Sequence, residues 1–325
     1  MSPPTATSAT AEATTLAPVK AASRQSDSSL IAICCVLAST VAFAAGDTAA
    51  KTLTGTLPPV EIAWLRYFIF MLMTVPVVLV TTGRRVLSPE RPWLQVARAV
   101  LTTGSAVMFI TALRFLPVAE ATAINFVSPL FITALSIPLL GEQIGVRRWT
   151  AALVGFAGVM LVVQPGSDAF SLASFLPMCA ALCWATAAIT TRMMASEKPE
   201  ITLAWSAVIG FLILSVLLPF EWRTPSASEL GLATIIGVCS GVGQWLIVLA
   251  YRRAPASTVA PFSYLQLVSA AGFAYLFLSS VPGFWTWIGG TIIAMSGLYT
   301  AHRERVRGRR QKPEDAVEAP SANAH

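Results

Sequence analysis

Apolar runs about twenty residues long, separated by short polar or proline-bearing breaks, dominate the pattern of this chain. The clearest lies between Ala254 and Ala301, forty-eight residues without one Asp, Glu, Lys, Arg or His, interrupted only by Val281-Pro282-Gly283. A helix crossing a ~30 Å hydrocarbon core needs about 20 apolar residues, so this run predicts two membrane-crossing helices joined by a tight turn. Read the same way, the whole chain predicts ten crossings, at 29–53, 60–82, 93–114, 117–140, 147–165, 170–194, 201–220, 229–251, 255–279 and 283–301. Breakers fall between them: Pro58-Pro59, Pro89 with Pro92, Pro117, Pro165-Gly166, Pro199, Pro225, Pro255 and Pro282-Gly283 each stand where a helix stops or starts. The third crossing has the weakest signal, because Arg98 leaves fifteen uncharged residues before Arg114. The expected fold class is an all-α polytopic membrane protein with ten transmembrane helices.

Lys and Arg set the expected direction. With both termini cytoplasmic, the cytoplasmic connectors hold Arg84, Arg85 and Arg91, then Arg147 and Arg148, Arg192 and Lys198, and Arg252 and Arg253. Lys20, Arg24 and the tail from Arg303 to Arg310 join them, while the opposite side holds Lys51, Arg114 and Arg223. That asymmetry satisfies the positive-inside rule for an even number of crossings and predicts an inner (plasma) membrane location. Residues 1–28 are rich in Ala, Thr, Ser and Pro and lack an apolar core, which predicts a disordered cytoplasmic tail, not a cleaved signal peptide. Residues 302–325 form a basic cytoplasmic tail.

Composition narrows the function. The chain is 55% hydrophobic and 12% charged, with mean hydropathy +0.68, against about 25% charged in an ordinary soluble protein. Its net charge of +6 is dispersed along short connectors and the tail, so the lipid bilayer is the expected partner and nucleic acid is not. All five cysteines lie in apolar runs and are expected to act as small packing residues. Both histidines, His302 and His325, lie at or beyond the last helix, so no metal site is expected. No Gly-x-x-x-x-Gly-Lys-Ser/Thr cradle occurs, so the chain does not hydrolyse ATP by that route, and no cofactor is expected.

The halves of the chain resemble each other. Ala42-Phe43-Ala44 through Lys51-Thr52 matches Cys183-Trp184-Ala185 through Arg192-Met193, and Trp64 matches Trp205, at a shift of 141. Ala112-Leu113-Arg114-Phe115-Leu116-Pro117 matches Ala250-Tyr251-Arg252-Arg253-Ala254-Pro255, and Trp149 matches Trp287, at a shift of 138. Five crossings per copy is an odd number, so the copies at 29–165 and 170–301 enter the membrane from opposite sides. Inverted repeats of this kind mark secondary transporters, with the substrate site near the midplane between them.

The segments Ala112 to Ala121, Ser128-Pro129-Leu130, Gly141-Glu142 and Gly155-Phe156-Ala157-Gly158-Val159 resemble the EamA repeat of the drug/metabolite transporter superfamily, over roughly residues 29 to 302. The resemblance implies ten helices in two inverted repeats, ATP-independent movement of a small organic metabolite by alternating access, and frequent assembly into a homodimer. The first-helix segment Gly46-Asp47-Thr48-Ala49-Ala50-Lys51 and the pair Arg66-Tyr67 resemble elements of riboflavin importers, S-adenosylmethionine carriers and exporters of amino-acid-derived metal chelators.

Each ionisable group inside a bilayer costs about 2.5–3.5 kcal/mol on insertion scales and asks for a partner or a role. Asp47 and Lys51 are spaced i, i+4, a separation at which carboxylate and ammonium meet. They are read as a locally coupled pair that either neutralises itself or serves the substrate, so that losing Asp47 alone harms more than losing both. Arg66 lies seven residues past Pro59, about 10 Å down its helix, where it grips a substrate, pairs with Asp47, Glu61 or Glu120, or snorkels. Glu120, in the first turn after Pro117, is placed to cap a helix or meet a ligand. Asn125, Gln244, Tyr264 and Gln266 are neutral hydrogen-bonding groups for a cavity wall, and Trp64, Tyr67, Trp184, Trp205 and Trp245 add aromatic surface for a planar ligand or a membrane interface. The ten candidates for substrate contact are thus Asp47, Lys51, Arg66, Tyr67, Glu120, Asn125, Trp184, Gln244, Tyr264 and Gln266.

The aromatic groups favour a planar heterocycle of riboflavin type, whereas Arg66 with Asp47 suits a zwitterion, with an exporter of an amino-acid-derived metabolite or metal chelator as the alternative. A membrane enzyme acting on lipid is disfavoured, because no histidine lies within the core and the loops are short.

Overall fold

The computed structural model describes residues 9–141, 146–166, 171–254, 259 and 262–317. Among them the chain is helical and forms no strand. In chain order the helices are α1 (Ala9–Leu53), α2 (Pro59–Thr82), α3 (Pro92–Phe115), α4 (Val118–Asn125), α5 (Ser128–Leu140), α6 (Val146–Val163), α7 (Phe175–Met193), α8 (Pro199–Leu217), α9 (Ala227–Arg253), α10 (Leu265–Leu278) and α11 (Phe284–Val317). Seven stretches are long and apolar enough to cross a membrane: 30–53, 59–82, 92–115, 118–140 (α4 with α5), 172–193, 199–220 and 227–253. Trp149–Val163 and Leu265–Leu278 are shorter apolar helices. The chain is a multi-pass, all-helical membrane protein.

The breakers act as their chemistry requires. Proline opens α2, α3 and α8, as Pro59, Pro92 and Pro199, at positions whose missing N–H is not needed by the helix. Ser226 and Glu229 close a capping box at the start of α9. Gly141 ends α5 in the left-handed conformation, φ 68°. The helices also extend beyond the apolar runs. α1 is helical from Ala9, where a disordered tail is expected from composition, and α11 continues to Val317. Once the apolar segment has nucleated a helix, extension through Ala-rich sequence needs only propagation.

α1 packs on α9 and α10, α2 on α8 and α9, α3 on α7 and α8, α5 on α7, and α6 on α11. The α6–α11 contact is close: a Cβ on Gly158 would lie 2.8 Å from the Gly289 carbonyl oxygen. Between α4 and α5 the helix is interrupted at Phe126-Val127, just before Pro129, which has no N–H to donate. Tyr264 is likewise a turn residue immediately before α10 begins.

Candidate functional site

Asp47 lies on the face of α1 that carries Val36, Thr40 and Ala50, all buried, and opposite Cys34, Ala38 and Val41, which are exposed. Three other helices bring side chains to it. The Gln266 amide approaches the carboxylate from α10, the Arg66 guanidinium acts on it from α2, and the Cys239 thiol stands beside it on α9. Gly46 lets α9 in, since a Cβ there would be 3.3 Å from Cys239 Cβ. A carboxylate and a guanidinium that act on each other across the bundle reduce each other's cost of burial and offer one charge of each sign to a ligand.

Lys51 does not join them. Its ammonium donates to the carbonyls of Leu113, at 2.6 Å, and Leu116, at 3.1 Å, at the end of α3. A helix C-terminus exposes unpaired carbonyls and the negative end of its dipole, and both attract a cation. The expected Asp47–Lys51 pair is therefore not made: Lys51 caps α3, and the positive charge acting on Asp47 is that of Arg66. Glu61 answers to a different arginine: its Oε2 accepts the backbone N–H of Arg223 at 3.1 Å, and the positive charge acting on it is that of Arg223.

Tyr67, next to Arg66 in sequence, is buried in the contact of α2 with α8. Its ring occupies the space left by Gly210, where a Cβ would collide with it, and meets Phe70 edge-on at 6.4 Å. The ring is enclosed by protein, so the structure withdraws it as an open aromatic surface. Trp184 is different. On α7 the residues Phe175, Cys179 and Leu182 are exposed on one side, and Pro177, Ala180, Ala181 and Ala187 are buried on the other. Trp184 falls by helical periodicity on the buried side, yet is 39% exposed. Gln244 lies on the α9 face of Ala233, Gly237 and Ser240, all buried.

The interruption between α4 and α5 concentrates further polarity. Asn125, the last residue of α4, has its side-chain oxygen buried with no hydrogen-bond partner among the described residues, and so does the Thr122 hydroxyl one turn earlier. The Phe126 ring packs against Tyr264 with centroids 5.1 Å apart and planes tilted by 35°, and the Tyr264 ring lies where a Cβ on Gly297 would be. These two aromatics stand 138 residues apart, the shift of the internal repeat, so each interrupted helix contributes one ring to the contact. That signal was present in the sequence, but Phe126 was not among the expected site residues, nor was Cys239. Glu120 is half-buried in the first turn of α4 and makes no hydrogen bond or ion pair among the described residues. Its neighbours Ala119 and Ala123 border a groove of about 170 Å³, shared with Tyr264, Leu267 and Trp287.

Residues 30–164 and 171–301 each match the EamA-like transporter family. The chain belongs to the EamA-like transporter family. Among relatives, it is 30% identical to the riboflavin transporter of Rhizobium johnstonii over 78% of this chain and 84% of the relative. It is 29% identical to the S-adenosylmethionine uptake transporter of Rickettsia bellii over 83% and 92% of the respective chains. It is 28% identical to the pseudopaline exporter CntI of Pseudomonas aeruginosa over 78% and 90%. A crystal structure 22% identical in sequence covers 86% of this chain and 98% of its own, with a TM-score of 0.60, and shares the fold. As a member of the EamA-like family, this protein is a secondary transporter of a small metabolite and not an enzyme.

Proposed function

We propose that the protein carries a planar heterocyclic metabolite of riboflavin type by alternating access, through a site where Asp47, Arg66 and Gln266 meet between the two halves of the chain. The observation that carries this reading is the convergence of one carboxylate, one guanidinium and an amide from α1, α2 and α10; the interrupted α4–α5 helix adds a buried Asn125 oxygen with no partner among the described residues. Amide groups of Asn125, Gln244 and Gln266 match the alternating donors and acceptors on the edge of a heterocyclic ring. Trp184, Tyr264 and Phe126 offer faces on which the ring stacks. The names of the relatives support the same class, since the riboflavin and S-adenosylmethionine transporters both handle a planar ring system. The Asp47–Arg66 pair favours a second reading, a substrate that also carries an amino-acid-like pair of charges.

The architecture behind this site is read as ten helices in two inverted repeats, 29–165 and 170–301, with both termini on the cytoplasmic side of the inner (plasma) membrane. The packing supports it: exchanging α1, α2, α3 and α6 for α7, α8, α9 and α11 turns the α1–α9 contact into α7–α3 and the α2–α9 contact into α8–α3. The α2–α8 and α6–α11 contacts map onto themselves. A homodimer, which the family resemblance implies, belongs to the same reading and is checked by cross-linking in native membranes.

Uptake into proteoliposomes of labelled riboflavin, S-adenosylmethionine, nucleosides and amino acids tests the substrate class. Saturable riboflavin uptake, competed by other planar heterocycles, is the expected result; saturable uptake of non-aromatic amino acids alone would overturn it. Arg66→Ala is expected to abolish transport with membrane expression intact, and wild-type rates in that variant remove Arg66 from the site.

A further inference from the structure

At the two opposite ends of the helix bundle the structure repeats one hydrogen-bonding device. The connector from α1 to α2 (54–58) and that from α7 to α8 (194–198) have equal length, and so do the linkers from α2 to α3 (83–91) and from α8 to α9 (218–226). At one end, Arg223 of the 218–226 linker donates its backbone N–H to Glu61 Oε2, at 3.1 Å, and its guanidinium to the Thr56 carbonyl. At the other end, Arg91 of the 83–91 linker donates its backbone N–H to Glu197 Oε1, at 3.1 Å, and its guanidinium to the Met193 carbonyl, at 2.7 Å. Each time, one arginine of one half grips a carboxylate and a carbonyl belonging to the other half. The ends are separated by α2, whose 24 residues span about 36 Å.

A tryptophan backs up each grip. Trp205 of the second half donates to the Val86 carbonyl in the first half's linker, at 2.7 Å. Trp64 of the first half donates to Ser215 at the end of α8, at 2.8 Å, and packs edge-on against Trp222 in the second half's linker. Both arginines are solvent-exposed, whereas Glu61 is fully buried. The grips therefore sit at the boundary where water meets the bundle, and neither arginine contacts the Asp47 cluster.

The geometry points to these two arginine clasps as the paired gates of the transport cycle. The Arg223–Glu61–Thr56 clasp closes the outer end, the Arg91–Glu197–Met193 clasp closes the inner end, and the structure, with both made, is the occluded state. The assignment rests on the alternating-access reading and orientation given above. A carrier with one site must never open both ends together, and a device that joins opposite halves at each end allows either end to part while the other holds.

The test uses the native Cys239, which lies beside Asp47, as a reporter in the full-length chain with Cys34, Cys35, Cys179 and Cys183 replaced by Ala. A membrane-impermeant maleimide is applied to right-side-out and inside-out vesicles. Arg223→Ala is expected to speed modification of Cys239 from the outer side about tenfold with little change from the inner side, and Arg91→Ala the reverse; a charged hydrogen bond of ~1.5 kcal/mol corresponds to that factor. Should the alanine variants fail to reach the membrane, Arg223→Gln and Arg91→Gln are expected to give the same two directions. Equal effects on both sides, or none, would overturn the assignment. Labelling needs no substrate, so opposite sidedness with no uptake of any compound sinks the substrate reading and leaves the clasps standing. Normal uptake with unchanged labelling sinks the clasps alone.

Discussion

The pairing of Asp47 is the point at which local sequence rules and the folded chain disagree, and a double-mutant cycle separates them. Opposite charges perturb each other when they lie within about 4–6 Å, and at 6 Å with an effective dielectric of about 20 their attraction is roughly 3 kcal/mol. The structure assigns that interaction to Asp47 and Arg66, while the Lys51 ammonium is taken by two carbonyls of α3. Asp47→Asn, Arg66→Gln and the double variant are compared by SDS-induced unfolding of purified protein, in parallel with Asp47→Asn, Lys51→Gln and their double. The first cycle is expected to show coupling of about 2–3 kcal/mol, because either single change leaves an uncompensated charge inside the bundle. The second is expected to stay within the ~0.5 kcal/mol of an ordinary i, i+4 pair. Coupling of Asp47 to Lys51 equal to or larger than its coupling to Arg66 would refute the assignment.

Other consequences follow from single contacts. Lys51→Met leaves the Leu113 and Leu116 carbonyls without their donor and is expected to cost about 2–3 kcal/mol of stability, seen as a lowered unfolding midpoint in detergent. Asn125→Ala removes a side-chain oxygen that has no partner among the described residues, so transport should fall while the unfolding midpoint holds; a large loss of stability would show that the amide is structural. Gly210→Ala pushes a methyl group into the Tyr67 ring and should destabilise by about 1–3 kcal/mol. Tyr67→Phe, in contrast, keeps the ring and should leave substrate affinity in uptake assays unchanged.

Much of the fold was legible because a bilayer is a strict solvent. Every apolar run between prolines carries helix in the structure where it is described, and Pro59, Pro92 and Pro199 stand at the first helical positions. The site was legible only in part, for geometric reasons. The i, i+4 rule saw Asp47 and Lys51 on one helix but could not see the α3 carbonyls, which reach Lys51 from 62 and 65 residues away. Arg66 and Tyr67 are adjacent in sequence yet point about 100° apart around α2, so one meets Asp47 and the other fills the space left by Gly210. The arginine clasps leave no repeat signal in the sequence, because Arg91 and Arg223 stand 132 residues apart, not the 138 or 141 of the repeat. The two ends arrive at the same bonding pattern from non-equivalent positions.

Polar contacts between the halves are therefore distributed in a way that suits two-state behaviour. At each end they are directional: an arginine, a carboxylate, a carbonyl and a supporting indole, joined at the inner end by Gln95 to Glu197 and Thr202, by Arg98 to Thr191 and Ser206, and by Ser196 to Glu90. At mid-depth, by contrast, both charges come from the first half, while the second contributes the neutral Gln266, Cys239 and Tyr264. A charge pair split between the halves would have to be broken in the low-dielectric interior each time the halves moved, at several kcal/mol. Keeping Asp47 and Arg66 on helices of one half, α1 and α2, lets the two charges travel together. The arginine clasps lie instead at the membrane faces, where water replaces their bonds as an end parts and the net loss per hydrogen bond is about 1 kcal/mol.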